Sequence, residues 1–269
     1  MKKLFVIKIG GNIIDNQSAL DTFLRDFSKI DACKILIHGG GKIATRIGDK
    51  LGIVSKYVDG RRITDDETID IVTMVYGGLV NKKIVASLQA IGCNAIGLTG
   101  ADANIIPAVK RPVVVKPGET EGIDYGWVGD VKGEQVNVSV LHALLETNIA
   151  PVFAPLTHDV EGHMLNTNAD TIASVLAVAL SVSYEVRLIY CFEKKGVLEN
   201  VDDEDSVIRL IDKSKYSQLK QENKLFAGIL PKIDNAFAAI DAGVKEVLIG
   251  DAADLLSNTS NQTLGTLIS

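Results

Sequence analysis

The chain is poor in the features that mark whole classes of protein. It holds only three cysteines, Cys33, Cys93 and Cys191, which cannot all pair and show no Cys-x-x-Cys spacing, so neither a disulfide framework nor a zinc site is indicated. Each lies among apolar or strand-forming neighbours, and buried free thiols are expected. There is no excess of positive charge. Against 28 Lys and Arg stand 34 Asp and Glu, a formal net charge of −6, whereas a nucleic-acid binder needs clustered basic residues. Long apolar runs are missing too: the longest uncharged one, Ile172 to Val182, falls short of the roughly 20 residues that span a bilayer. Lys8 interrupts the N-terminal run Leu4 to Ile7 before a signal-peptide core can form. A cytoplasmic protein with neither nucleic acid nor membrane as partner is therefore expected. His158 and His163 lie five apart in a Gly-containing segment, which is not the i, i+4 spacing of a helical ligand pair. Both are expected in a loop, with no protein-held metal.

What is present is an ordinary globular composition, 46% hydrophobic and 23% charged over 269 residues, which excludes disorder and fibrous folds. Short apolar runs alternate with helical patterns, the signature of a mostly parallel sheet with crossover helices. Strands are predicted at Leu4 to Ile9, Lys34 to His38, Asn94 to Thr99, Pro151 to Ala154, Val186 to Cys191 and Lys245 to Ile249. Helices are predicted at Gln17 to Ile30, Lys42 to Leu51, Asp66 to Tyr76, Val80 to Ile91, Val138 to Thr147, Asn168 to Ser181 and Lys232 to Ala242. The pattern fits a three-layer α/β/α sandwich around an open sheet. Ile105 to Val131, with its prolines, glycines and the run Val113-Val114-Val115, reads as a β-hairpin excursion suited to a substrate lid. Asn200 to Asp205, with four acids, reads as a solvated loop. With no Ser/Gly-rich linker and no internal repeat, one domain over 1–269 is expected, its N lobe about 1–182 and its C lobe about 183–269.

Four places carry candidate chemistry. In Lys8-Ile9-Gly10-Gly11 a strand ends in paired glycines, which let backbone N–H groups approach an anion beside a lysine; a plain strand-to-loop turn reads the same four residues equally well. His38-Gly39-Gly40-Gly41-Lys42 again follows a strand and precedes a helix. The Walker pattern fails there, because Leu36 holds its first glycine position and Ile43 its Ser/Thr position. The dinucleotide pattern is met literally by Gly39, Gly41 and Ala44, which keeps a nicotinamide-dependent oxidoreductase as a competitor. Its acidic ribose-binding residue would have to be Asp59, which sits in a loop before Gly60-Arg61-Arg62 rather than after a clear strand. In Asn166-Thr167-Asn168-Ala169-Asp170, helix capping accounts for Asn168 and Asp170 but not for Asn166. In Gly228-Ile229-Leu230-Pro231-Lys232, the lysine falls in a first helical turn, where the helix dipole disfavours a cation and a nearby phosphate or carboxylate would offset that cost. Two lysines, two glycine-rich strand ends and a carboxylate suit ATP-dependent phosphoryl transfer, which runs on positioning and charge neutralisation. No protein-kinase catalytic loop is recognisable. A carboxylate acceptor, ionised at neutral pH with a reference pKa of about 4.3 for Glu, needs no base.

These blocks, with Asp59-Gly60-Arg61-Arg62-Ile63-Thr64, Asn81-Lys82 and Gly97-Leu98-Thr99-Gly100-Ala101-Asp102 between them, resemble the amino acid kinase family in order and nearly end to end. The resemblance is to its branch acting on N-acylated glutamate, and it implies an acyl phosphate product on the arginine route. It implies that Lys8 and Lys232 neutralise the moving phosphoryl group, that Asp170 holds both lysines, and that Gly11 donates N–H to the phosphates. ATP would bring Mg²⁺ on its phosphates. Gly40, Gly41, Arg62 and Asn166 would bind the acceptor, with Arg62 and Asn166 gripping its α-carboxylate, while Gly10, Asn168, Glu193, Gly196 and Gly228 join Gly11 on the nucleotide. Arg61 is expected to be solvated. The N lobe would bind the acceptor and dimerise, and the C lobe would bind the nucleotide.

The departures from the pattern are specific. Glu193 stands where an Asp usually edges the nucleotide, Ala101 replaces a frequent lysine, and Thr157 replaces a glycine near the acceptor. The last two leave N-acetyl and N-succinyl acceptors both open. Arginine-inhibited hexamers of the family carry a helix before the first strand, whereas here the strand begins by Leu4, so a homodimer insensitive to arginine is expected. Carbamate and uridylate kinases of the same fold remain alternatives on length, and a non-catalytic sensor on this fold is a further one.

Overall fold

Eight strands build the central sheet: β1 (Lys2–Ile9), β2 (Cys33–His38), β3 (Ala95–Leu98), β4 (Ala150–Phe153), β5 (Tyr184–Phe192), β6 (Leu210–Ile211), β7 (Glu246–Asp251) and β8 (Thr266–Ile268). The structure, a computed structural model, describes residues 1–269 apart from positions 59, 116–119, 201, 223 and 226–227. Asp59 thus lies outside the described residues. Spatial order is β6-β8-β7-β5-β1-β2-β4-β3. The pairs from β7 through β3 are parallel, and the reversal comes where β8 runs antiparallel to β7.

Strand β1 shows why the sheet lies in the middle. From Leu4 to Ile9 every residue is buried, so alternate side chains feed opposite cores. Leu4 and Val6 join Ile35, Ile37, Val186 and Leu188 in one core; Phe5, Ile7 and Ile9 join Leu36, Val152 and Ile189 in the other. Fully burying one such aliphatic side chain contributes roughly 1.5–3 kcal/mol, and two continuous cores hold helices on both faces. The helices are α1 (Gly11–Asp15), α2 (Gln17–Ser28), α3 (Gly41–Lys50), α4 (Asp66–Ala90), α5 (Val138–Glu146), α6 (Ala169–Ser181), α7 (Lys213–Gln221), α8 (Leu230–Asp241) and α9 (Leu255–Thr259). Residues of α5, α6, α7 and α8 fill the first core, and those of α1 to α4 and α9 the second. This is the three-layer α/β/α sandwich expected.

Several local expectations need correcting. The two helices predicted on either side of Gly77-Gly78 are one helix, α4, whose middle stretch Thr73–Val80 is wound as a π-helix. Glycine reads as a breaker in sequence, but here Gly77 faces Leu156 and Thr99 closely enough that a Cβ would lie 3.4 Å from the Leu156 side chain. At 25 residues α4 is long and apolar enough to cross a membrane, yet Ile71, Val72, Val75, Val80, Ile84 and Leu88 are spent against the sheet. His158 ends a short strand, Leu156–His158, paired with Met164–Asn166, while His163 occupies the turn between them. Cys93 and Cys191 are buried, but Cys33 is half-buried. The acidic loop is exposed over residues 202–205, as expected, and there Glu204 and Asp205 form surface pairs with Lys194 and Lys195 at 2.8 and 2.6 Å. The excursion beside the sheet is made of hairpins, Ala108–Lys110 with Gly129–Val131 and Val114–Val115 with Gly122–Ile123.

Candidate active site

At the carboxyl ends of β1, β2 and β5 the chain leaves the sheet in short turns, and two cavities open there. The larger, about 550 Å³, is lined by Lys8, Gly10, Gly11, Phe192, Glu193, Gly196 and Lys232 among others. Lys8 is the penultimate residue of β1 and 9% exposed. Its Nζ stands 2.8 Å from Asp170 Oδ1 in the first turn of α6, an ion pair rather than an aligned hydrogen bond. Lys232 enters from the first turn of α8, and both ammonium groups stand over the Phe192 ring, 5.4 Å and 3.4 Å from its centre. Burial pushes the Lys232 pKa below its ordinary value; Asp170 acts in the opposite direction and Lys8 adds to the depression. Two cations beside one carboxylate, which pairs with Lys8, leave a net positive charge at the cavity wall, ready for an anion.

The second cavity, about 270 Å³, is lined by Gly39, Gly40, Gly41, Tyr57, Arg62, Tyr76 and Asn166 among others. Arg62 is 8% exposed and sits in a short strand, Arg61–Ile63, paired with Lys56–Val58. Its guanidinium donates to the Gly41 carbonyl and to Thr45 Oγ1, both at 2.9 Å, and to Ser55 Oγ, and it lies 4.9 Å from the centre of the Tyr57 ring. Asn166 donates to Thr64 Oγ1 at 3.0 Å. A braced guanidinium facing an amide is the donor set that takes up a planar carboxylate.

The Gly39-Gly40-Gly41 loop lines both cavities. Gly40 has φ +151°, and a Cβ on it would come within 3.0 Å of the Tyr76 ring, so this position requires glycine. Beneath the loop His38 is fully buried. Its Nδ1 donates to the Gly39 carbonyl at 2.7 Å, while Nε2 accepts from Asn81 Nδ2 at 3.1 Å. Asn81 also donates to the Val152 carbonyl at 2.9 Å. Burial pulls the His38 pKa down to about 4, so the imidazole is neutral near pH 7 and holds the loop by hydrogen bonds alone.

Of the residues predicted for the site, the structure gathers Lys8, Gly10, Gly11, Glu193, Gly196 and Lys232 in the lysine cavity, and Arg62 and Asn166 in the arginine cavity, with Gly40 and Gly41 in both. Asp170 joins through Lys8. Asn168 lines the arginine cavity rather than the lysine one, with its Oδ1 accepting from Asp170 N and Thr171 N as the cap of α6. Gly228 lies in the turn before α8 and lines neither; its neighbour Ile229 lines the lysine cavity. Arg61 is exposed but does line the arginine cavity. Thr157 and Ala101 line neither, and Thr157 reaches the arginine cavity only through Thr167, 2.7 Å away. Sequence reading missed Tyr57, Tyr76, Arg111 and Phe192. Phe192 had a usable signal, since it ends the strand beside β1; the others come from elements that only folding brings to the loop. A still larger cavity, about 730 Å³, opens at the amino ends of β1, β2 and β4, and none of the predicted site residues reaches it.

The chain matches the amino acid kinase family over residues 3–251. It is 57% identical over 267 residues to an acetylglutamate kinase from Cytophaga hutchinsonii, covering 99% of this chain and 98% of that protein. An acetylglutamate kinase from Phocaeicola vulgatus is 53% identical with the same coverage. Among solved structures, carbamate kinase from Giardia lamblia bound to AMP-PNP superposes with a TM-score of 0.70 at 14% identity, over 99% of this chain and 98% of that one.

Proposed function

This chain belongs to the amino acid kinase family, and from that premise we propose that it transfers the γ-phosphoryl group of ATP to the side-chain carboxylate of N-acetyl-L-glutamate in arginine biosynthesis. The observation that carries the reading is the meeting of a lysine-walled and an arginine-walled cavity at one glycine loop. In this reading ATP fills the first and the acylated amino acid the second. Arg62 and Asn166 grip the α-carboxylate, which leaves the side-chain carboxylate directed at the junction. One of its oxygens attacks the γ-phosphorus, the bond to the β,γ-bridging oxygen breaks, and ADP leaves. No proton has to move, because the acceptor is already ionised.

Lys8 and Lys232 stabilise the charge on the phosphoryl group as it passes, and Asp170 keeps them from repelling each other. Gly10 and Gly11 offer backbone close to the phosphates; Glu193 and Gly196 edge the nucleotide, Gly228 acts only through its neighbour Ile229, and Asn168 fixes the start of α6. The nucleotide would carry Mg²⁺ on its phosphates, where the ion would supply further charge neutralisation; Asp170, the carboxylate nearest the lysines, is already held by Lys8. The lysine cavity draws Phe192, Glu193, Gly196, Ile229 and Lys232 from residues beyond 182, whereas the arginine cavity draws only on earlier ones. That division supports an N lobe of about 1–182 for the acceptor and a C lobe of about 183–269 for the nucleotide.

The protein works as a cytoplasmic homodimer in this reading. Supporting a pairing surface are the open edge of β3, with Ile96 exposed, and Met74, Leu79 and Ile91 exposed along and beyond α4. The test is Mg-ATP consumption with hydroxylamine trapping of the acyl phosphate, run beside N-succinyl-glutamate, free glutamate, carbamate and UMP. Turnover with N-acetyl-glutamate is expected; turnover on carbamate or UMP in its place overturns the reading.

A further inference from the structure

We propose that Lys42, oriented by Asn12, is a third cation for the nucleotide's phosphate chain, beside Lys8 and Lys232 in the same cavity; this rests on the function proposed above. Both residues line the lysine cavity and neither lines the arginine cavity. They come from separate elements: Asn12 is the second residue of α1 and Lys42 the second of α3. Lys42 Nζ donates to Asn12 Oδ1, which bridges the two glycine turns, Gly10-Gly11 and Gly39-Gly41.

The charges around the cavity separate Lys42 from Lys8 and Lys194. Lys8 is paired with Asp170, and Lys194 with Glu204. Lys42 has no carboxylate within ion-pair distance among the described residues, and its partner there is a neutral amide. It also lies in the first turn of a ten-residue helix that has no acid in that turn, where the helix dipole disfavours a cation. An anionic phosphate chain in the cavity offsets both costs. A neutral partner suits this arrangement, because Asn12 fixes the ammonium in place without cancelling its charge.

The experiment is steady-state kinetics on the whole chain with Lys42→Ala, Lys42→Arg and Asn12→Ala, joined to calorimetric titration with a non-hydrolysable Mg-ATP analogue. Lys42→Ala is expected to raise the KM for Mg-ATP and the analogue's dissociation constant by about tenfold, the low end for a hydrogen bond to a charged group, while the KM for N-acetyl-glutamate stays put. The increase shrinks as salt is raised. Lys42→Arg restores most of the affinity, and Asn12→Ala gives a smaller loss in the same direction. An unchanged analogue affinity in Lys42→Ala, or a defect that falls on the acceptor's KM, overturns the proposal. The titration does not depend on acceptor identity, so a wild-type protein that binds the analogue but does not phosphorylate N-acetyl-glutamate counts against the proposed function and leaves this inference to its own result.

Discussion

The two cavities are built on different principles although they share a wall. On the arginine side the key group is immobilised: Arg62 commits three of its donors to a carbonyl and two hydroxyls of its own chain and lies against a tyrosine ring. On the lysine side the cations have fewer anchors: Lys8 has one ion pair, to Asp170, and both Lys8 and Lys232 stand over the face of Phe192. The difference matches the tasks proposed for them. A planar carboxylate that must be bound in one orientation calls for a fixed fork. A phosphoryl group that moves during the reaction calls for point charges able to follow it.

Substitutions can sharpen or break that contrast. The largest effect is expected for Lys8→Ala and Lys232→Ala, which should each lower kcat by about 10²–10³, as removal of a transition-state donor does, and leave the acceptor's KM nearly unchanged. Steady-state kinetics that show a KM defect alone would make these lysines binding groups and erase the distinction.

Next comes the loop common to both cavities. His38 has its pKa held at about 4 in the folded chain, against an ordinary value of about 6.5. The unfolded chain therefore takes up a proton near pH 6.5, while the folded chain does so only near pH 4. Stability is lost as pH falls through that window and is independent of this group above it. At about 1.4 kcal/mol per unit, the loss amounts to about 3 kcal/mol. Denaturant titrations at pH 7 and pH 4.5 should show a drop in the wild type that is smaller by this amount in His38→Gln, and equal drops would remove His38 from the account.

Arg62→Lys follows, with an expected rise of about 10- to 100-fold in the KM for N-acetyl-glutamate and a smaller change in kcat, since a lysine keeps the charge but loses the fork. A variant that binds the acceptor normally would show that the bracing serves the fold and not the ligand. The smallest effect is expected at exposed Glu193, where Glu193→Asp should alter the KM for Mg-ATP by less than about threefold, a change of the size usual for surface positions.

How much of this was readable in the sequence depended on how local the signal was. The strands of the inner sheet were legible because they are buried on both faces and read as continuous apolar runs. The Lys8 and Gly39-Gly41 segments were legible because the chemistry sits where such a run ends. Strands β6 and β8, of two and three residues, are too short for any period to register. The continuity of α4 through Gly77-Gly78 was hidden because packing against Leu156 and Thr99, and not propensity, decides it. The pairing of Lys8 with Asp170 joins residues 162 positions apart, and the bracing of Arg62 draws on Thr45 and Ser55, 17 and 7 positions away; neither set follows a helical or strand period. Tyr76 and Arg111 reach the arginine cavity by the same long-range route.

The glycine loop over His38 belongs to neither cavity exclusively. A ligand that settles on one side of it rests against backbone that also walls the other cavity, so with the ligands assigned as proposed the two binding events are expected to be coupled. Each substrate then changes the affinity of the other, and linkage requires the two changes to be the same factor. The dissociation constant of the nucleotide measured with and without N-acetyl-glutamate, and that of N-acetyl-glutamate measured with and without the nucleotide analogue, should therefore give one number, a heterotropic cooperativity housed in three glycines.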